Sequence, residues 1–416
     1  MGSIPDGQFM TIRPDSAPAL AATPSEMPLL VQVSLAHLVS HLHIMTLPAL
    51  LPLLPAHFGT TFVGIGFALT VFNLVSLLVQ TPMGFISDRF GARRVLIGGL
   101  LLGGASFMLL AVTQSYAALI VAMAAAGIAN GVYHPADYAL LANGIDGKRM
   151  GRAFSIHTFA GYLGTAIAPV LLLGTAAFAG LPHAFAVAGL IAFAVALLLI
   201  LAPAAGAMPR KVARSAAEGG APAPRRTGLV TGAVVSLTIM FALLSLSTGG
   251  IQSFSVSALV AGYGIDLPSA NAALTAFLFA SAAGVLAGGG LADRTARHGM
   301  VAAGAFLATA AISLTLALTS PSALVALLLL GLAGFLSGII TPSRDMMVRA
   351  AAPPGAEGIV FGMVSTGFNI GGLVGPLLYA ALLDSGANRM IFAVAACFMV
   401  ATVLLALVQE RRSSAT

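Results

Sequence analysis

The sequence is short of charge. Asp, Glu, Lys and Arg make up 8% of its 416 residues, against 58% hydrophobic residues and a mean hydropathy of +1.00. A soluble domain carries about a quarter of its residues as charged groups, so water is excluded as the main solvent of this chain. With a single cysteine, Cys397, no intrachain disulfide can form, and its place inside an apolar run reads as a small core residue. No Cys-x-x-Cys or His-Glu-x-x-His spacing occurs, so no metal site is expected. A Gly-x-x-x-x-Gly-Lys-Ser/Thr loop is also missing, which excludes an ATP-driven pump of the P-loop kind. No cofactor is expected. Residues 1–27 lack a basic segment followed directly by an apolar core; they read as a disordered cytoplasmic tail and not as a signal peptide.

What the sequence has in quantity is long apolar runs rich in Ala, Leu, Gly and Val. In lipid every backbone polar group must be paired internally, which leaves helix bundles or closed barrels. Barrel strands alternate apolar and polar residues over about ten positions, and these runs do not. They are long enough for helices, which need about 20 residues to cross the hydrocarbon. Six runs fall at 28–56, 60–83, 94–113, 116–141, 151–178 and 182–204, and six more at 228–260, 268–289, 300–319, 322–346, 358–382 and 388–409. The expected fold is therefore an all-α membrane protein of twelve transmembrane helices. Residues 28–204 and 228–409 form its two six-helix halves, 205–227 a polar cytoplasmic linker, and 410–416 a cytoplasmic tail.

Charge placement orients the chain. Arg89, Arg93, Arg94, Lys148, Arg149, Arg152, the basic linker, Arg294, Arg297, Arg344, Arg349, Arg411 and Arg412 all fall on one side, and only Arg389 on the other. The positive-inside rule then puts both termini in the cytoplasm. The net charge of +6 is accounted for by topology and calls for no nucleic-acid partner.

The halves repeat. Ala126, Gly127, Gly131 and Pro135 match Ala333, Gly334, Gly338 and Pro342 at an offset of 207, as do Gly151 with Gly358, Gly164 with Gly371, and Pro169 with Pro376. Ala68, Leu69, Thr70 and Phe72 match Ala273, Leu274, Thr275 and Phe277 at 205. Parallel repeats of six spans are the plan of carriers whose site lies between two rocking halves. Two loops in matching places also share a pattern, Gly84 to Asp88-Arg89 with Arg93, and Gly289 to Asp293-Arg294 with Arg297. Glycine allows close helix approach, and the arginines anchor the turn at an anionic leaflet.

On these loops and repeats the chain resembles the major facilitator superfamily over about residues 28–409. The resemblance implies that the loop residues Gly84, Asp88, Arg89 and Arg93, and Gly289, Asp293, Arg294 and Arg297, latch the cytoplasmic side when the carrier is open outward. Ala92 and Ala296 depart from the family pattern, which has a basic residue and a glycine there. A narrower resemblance, to the fosmidomycin-resistance branch, rests on Thr61 through Gly66, Phe72-x-Leu74, Leu78-x-Gln80, Tyr133-His134-Pro135, and Gly151 through Pro169. It implies export of drugs or phosphonates in exchange for protons. Gly161, Gly164 and Ala168-Pro169 are similar to the antiporter motif of exporters, with Ala168 in place of a glycine.

Polar residues inside spans need a reason, because charge at mid-bilayer costs about 2.5–3.5 kcal/mol even on forgiving scales. Histidine loads and releases protons near neutral pH. His37 and His41 share a face of span one, whereas His43 points elsewhere and reads as packing. His134 and Asp137 are spaced to form a proton-handling pair, with a headgroup or latch role as the alternative. His157 has no charged partner in its own span. Arg344 suits an anionic substrate or inner-surface anchoring, and need not pair with Asp345, since neighbours on a helix point about 100° apart. Tyr162 and Asn369, which align in the repeat, are candidate substrate contacts.

The expected function is secondary transport of a small amphipathic or anionic solute across a bacterial inner membrane, by a monomer, in exchange for protons. Proton-coupled uptake of an organic acid and a non-transporting membrane sensor are the alternatives. An enzyme is not expected, because no nucleophile and base face each other in the sequence.

Overall fold

Among the described residues of the computed structural model, twelve helical segments are long and apolar enough to cross a membrane. The structure describes residues 26–146, 149–202, 230–292, 294–295, 297–353 and 357–413. Proline shapes the first span. α1 (Met27–Leu50) contains Pro48 and passes through a 3-10 turn, Leu51–Leu53, into the short helix α2 (Leu54–Phe58). Pro48, Pro52 and Pro55 lack the N–H that an unbroken ladder would use. The first half continues with α3 (Phe62–Phe90), α4 (Ala92–Val112), α5 (Tyr116–Gly144), α6 (Met150–Ala179) and α7 (Leu181–Leu201). The second half has α8 (Gly232–Tyr263), α9 (Leu267–Ala292), α10 (His298–Leu318), α11 (Ala323–Ala351), α12 (Glu357–Asp384) and α13 (Met390–Ser413). An even number of spans puts both ends of the chain on one face, here termed the terminal face.

Helix starts follow local chemistry. Thr61, Ser115, Thr231 and Ser322 accept from the amide of the third helical residue of α3, α5, α8 and α11, the ordinary N-cap bond. The tail at 1–27 and the linker at 205–227 lie almost wholly outside the described residues; Met27 already begins α1. At the other end α13 runs on to Ser413, so residues 410–413 continue a helix. Glu410 accepts there from the Gly299 amide at 2.9 Å.

Each half contains a tight glycine crossing in matching places, α3 on α5 and α9 on α11. A Cβ on Gly127 would come within 2.6 Å of the Phe72 carbonyl oxygen, and one on Gly131 within 2.5 Å of Val79 Cγ2. The repeat-related Gly334 and Gly338 lie still closer, against the carbonyl oxygens of Phe277 and Ser281. Small residues at these crossings let backbones approach without a hydrophobic driving force, which lipid does not supply.

The halves meet on the face opposite the termini. There Thr70 Oγ1 donates to the Leu373 carbonyl at 3.1 Å, and Asn271 Nδ2 to the Pro169 carbonyl at 3.3 Å. A cavity of about 430 Å³ lies between the halves, inward of these contacts, with walls from α1, α3, α6, α8, α9, α11 and α12.

Candidate functional site

Two features share the interior: a buried cluster of ionisable groups within the first half, and the cavity beside it. The cluster draws on three helices. His37 Nδ1 of α1 lies 3.5 Å from Asp137 Oδ2 of α5, and His157 Nε2 of α6 lies 3.7 Å from the same oxygen. The rings of His37 and His157 stack with centroids 3.9 Å apart. His41 and His134 complete the group, at 4.6 and 5.4 Å from the His37 ring. Asp137 is 0% exposed and His157 1%. Neither Asp137 oxygen has a hydrogen-bond partner, and the same holds for His37 Nδ1, His134 Nδ1 and both His157 nitrogens.

Burying a bare carboxylate in a membrane is costly, so Asp137 needs a proton of its own or a protonated histidine beside it. The ligand atoms of His37, Asp137 and His157 lie within 4.8 Å of one another, a spacing that a metal ion could also use. A divalent ion would carry one positive charge more than the single carboxylate offsets, in a site with almost no exposure. A proton shared between Asp137 and either histidine leaves no such excess.

The spacing of His134 and Asp137 suggests a pair on one helix. In the structure Asp137 faces His37 and His157, and its partners come from other spans. His41 links cluster to cavity: its Nδ1 lies 3.0 Å from Thr165 Oγ1, and both residues line the cavity wall. His43 points away, with Nε2 3.1 Å from the Ala188 carbonyl and its ring on Phe107.

The cavity wall is mixed. Tyr162, Asn73, Gln252 and several Ser and Thr hydroxyls alternate with Phe72, Phe254, Phe368 and aliphatic groups. Among the lining residues Arg344 is the one Arg or Lys, and none is an Asp or Glu. Its guanidinium carbon sits 4.7 Å from the Phe241 ring centre and 5.1 Å from that of Phe368. Arg344 and Asp345 do pair, through Nε and a second guanidinium nitrogen at 2.9 and 2.8 Å from Oδ1. The adjacent side chains fold back toward each other despite their helical offset. Asn369 is half-buried and does not line the cavity, whereas its neighbour Phe368 does. Asn73, Phe241 and Phe368 escaped the sequence reading; only the conspicuous Phe72-x-Leu74 pattern hinted at Asn73.

The loop residues are separate from this centre. Asp88 and Arg89 are exposed, with Arg89 over the Phe90 ring. Arg93 donates to Gln32 Oε1 at 2.8 Å, to the Leu199 carbonyl and to the Ala202 carbonyl at 2.6 Å. It therefore covers the negative end of α7 within its own half. Gly84 has Pro135 nearby and Gly289 open space. Arg294 is exposed, and Arg297 precedes α10, its amide donating to Thr295 Oγ1. Asp293 lies outside the described residues. None of the described loop residues makes a hydrogen bond or ion pair to the other half.

Comparison with known proteins agrees with this architecture. The family model described as Major Facilitator Superfamily matches residues 33–261 and 237–416. The Fosmidomycin resistance protein of Escherichia coli (strain K12) is 26% identical over 372 residues, 88% of each chain. An uncharacterized MFS-type transporter of Bacillus subtilis (strain 168), YfnC, is 24% identical over 369 residues, 86% of this chain and 87% of its own. Among solved structures, a bacterial homolog of the human lysosomal transporter Spinster, inward-facing and occupied, superposes with a TM-score of 0.74 at 16% identity. That superposition covers 94% of this chain and 96% of the other. A twelve-helix bundle in two repeated halves with a cavity between them, matched by the family model over nearly its full length, places this chain in the major facilitator superfamily, as a transporter and not an enzyme.

Proposed function

We propose that the protein is a proton-coupled exporter of a small anionic or amphipathic solute, with the terminal face in the cytoplasm of a bacterial inner membrane. One observation carries this reading: a cavity between the halves whose one Arg or Lys among the lining residues is Arg344, joined through His41 to the buried His–Asp cluster. The cavity receives solute and the cluster receives the coupling proton. Arg344 holds the anion, with Tyr162 as a further contact and Asn369 behind Phe368. His37, His41, His134, Asp137 and His157 form the proton pathway. Residues 28–204 rock against 228–409 as a monomer. The loop residues Gly84, Asp88, Arg89 and Arg93, with Gly289, Asp293, Arg294 and Arg297, latch the cytoplasmic side in the outward-open state.

The excess of Lys and Arg on the terminal face supports the orientation. Relatives named for fosmidomycin resistance, and more distant ones named for multidrug resistance, support export. Arg344 would serve uptake of an organic acid as well, and the direction of counterflow against an imposed pH gradient separates the two.

The test uses proteoliposomes loaded with a pH-sensitive dye and a panel of phosphonates, organic acids and cationic drugs. Phosphonates or organic acids should drive proton movement, and Arg344→Gln should weaken their apparent affinity about 10- to 100-fold, as expected for loss of a charge-assisted contact. Movement driven by the cationic drugs alone would overturn the anionic assignment. Binding without any flux would favour a sensor.

A further inference from the structure

We infer that Asp384 is a gating residue: from the end of α12 in the second half, its carboxylate clasps the first turn of α3 in the first half and holds the opposite face shut. Phe62 N donates to Asp384 Oδ1 at 2.9 Å and Val63 N donates to Oδ2 at 2.7 Å. A helix begins with amides that have no partner inside the helix, at the positive end of its dipole. In α3 the Thr61 hydroxyl takes the Gly64 amide, and the first turn holds no acidic residue. The Phe62 and Val63 amides therefore find their acceptor, and α3 its compensating negative charge, in the other half of the molecule.

That placement makes the contact conditional. Donors and acceptor ride on different halves, so any rocking that opens this face breaks both bonds and leaves the two amides and the carboxylate to water alone. The clasp thus stabilises only the state closed on this face. Its neighbours along the α3–α12 seam are neutral. Thr70 bonds the Leu373 carbonyl, and Gly66 lies so near Pro376 that a Cβ would come within 2.6 Å of its carbonyl oxygen. The seam is also asymmetric within the pseudo-symmetric fold. The repeat offset of 207 puts Ala177 at the position equivalent to Asp384. The matching α6–α9 seam has the neutral Asn271–Pro169 bond.

An internal control exists. Asp266 accepts from the Ser269 amide at 3.0 Å at the start of α9, which caps a helix of its own half. Those bonds to Ser269 hold its carboxyl below the usual range. The chemistry resembles that of Asp384, but nothing there breaks when the halves move.

The inference rests on the alternating-access reading above. The experiment places nitroxides at Gln114→Cys and Thr319→Cys, exposed positions on opposite-face loops of different halves, in a Cys397→Ser background. The distance distribution is read by electron–electron double resonance in nanodiscs, with and without the compound panel. Asp384→Ala should raise the ratio of long-distance to short-distance populations about tenfold, corresponding to ~1.4 kcal/mol. Asp384→Asn, which keeps the size and one acceptor, should raise it less. Asp266→Ala should leave the ratio unchanged. An unshifted ratio in a monodisperse Asp384→Ala or Asp384→Asn protein overturns the clasp, and so does an equal shift in Asp266→Ala. Where Asp384→Ala does not fold, Asp384→Asn decides alone. A wild type locked at one distance under every condition would instead remove the alternating-access reading.

Discussion

Replacing Asp137 with asparagine is expected to abolish compound-driven proton movement while leaving exchange of solute across the membrane largely intact. The carboxylate is fully buried, its two oxygens have no hydrogen-bond donor, and two histidine nitrogens face one of them at 3.5 and 3.7 Å. Such a carboxylate is tolerated in a membrane interior only if it holds a proton or faces a protonated neighbour, the two states a proton carrier exchanges. Asparagine fills the same volume but offers no site that gains or loses a proton. The side chain lies outside the cavity wall, whose charged contact is Arg344, so solute binding should survive. In proteoliposomes the proton flux per turnover should fall on the order of 100-fold, the equivalent of ~2.7 kcal/mol in a barrier. Counterflow of labelled solute, measured in the same vesicles, should stay within a few-fold of wild type. His157→Ala should reduce coupling less, because His37 still faces Asp137. Full proton flux in Asp137→Asn would transfer the coupling role to the histidines alone.

Gly334→Val should be the most damaging of the small substitutions in the spans. A Cβ at this position meets the backbone of Phe277, its carbonyl oxygen, carbonyl carbon and Cα together. Backbone cannot rotate away as a side-chain tip can, so α9 and α11 must separate. Overpacking typically costs about 1–3 kcal/mol, and a clash with fixed backbone plus the two further methyls of valine put this change at or above the top of that range. Thermal scans of detergent-solubilised protein should show Gly334→Val unfolding well below wild type, with Gly334→Ala between them. Gly304→Ala on α10, where a Cβ meets nothing within 4 Å, should be neutral. An unchanged melting profile in Gly334→Val would mean that the crossing is looser than the structure has it.

How much of this could be read in advance differs by feature. The glycines at 127, 131, 334 and 338 were visible as a repeated pair at a constant offset. What the pattern could not say was which helix lies against each glycine. The ionisable residues show the same division. His37, His41, His134, Asp137 and His157 stood out because polar groups are rare in such apolar spans. Their partners were misjudged, since spacing along a chain reports neighbours on one helix only. His37 and His157 reach Asp137 from α1 and α6. Arg93 looked like half of a loop latch, yet here its hydrogen bonds close the end of α7. Asn369 aligned with Tyr162 in the repeat, but in α12 it is Phe368, not Asn369, that lines the cavity.

Composition and hydropathy by themselves determined that this chain lives in lipid and crosses it twelve times as helices, and the residue matches at a constant offset that it is built from two copies of one six-helix plan. Those properties follow from the solvation of the backbone and from helix length, both local along the chain. The tertiary structure alone decided which face each helix turns inward. That choice depends on helix rotation and crossing distance, fixed by contacts between residues on different helices, well separated along the chain, and it is what brings one carboxylate between two histidines and another onto the first turn of α3.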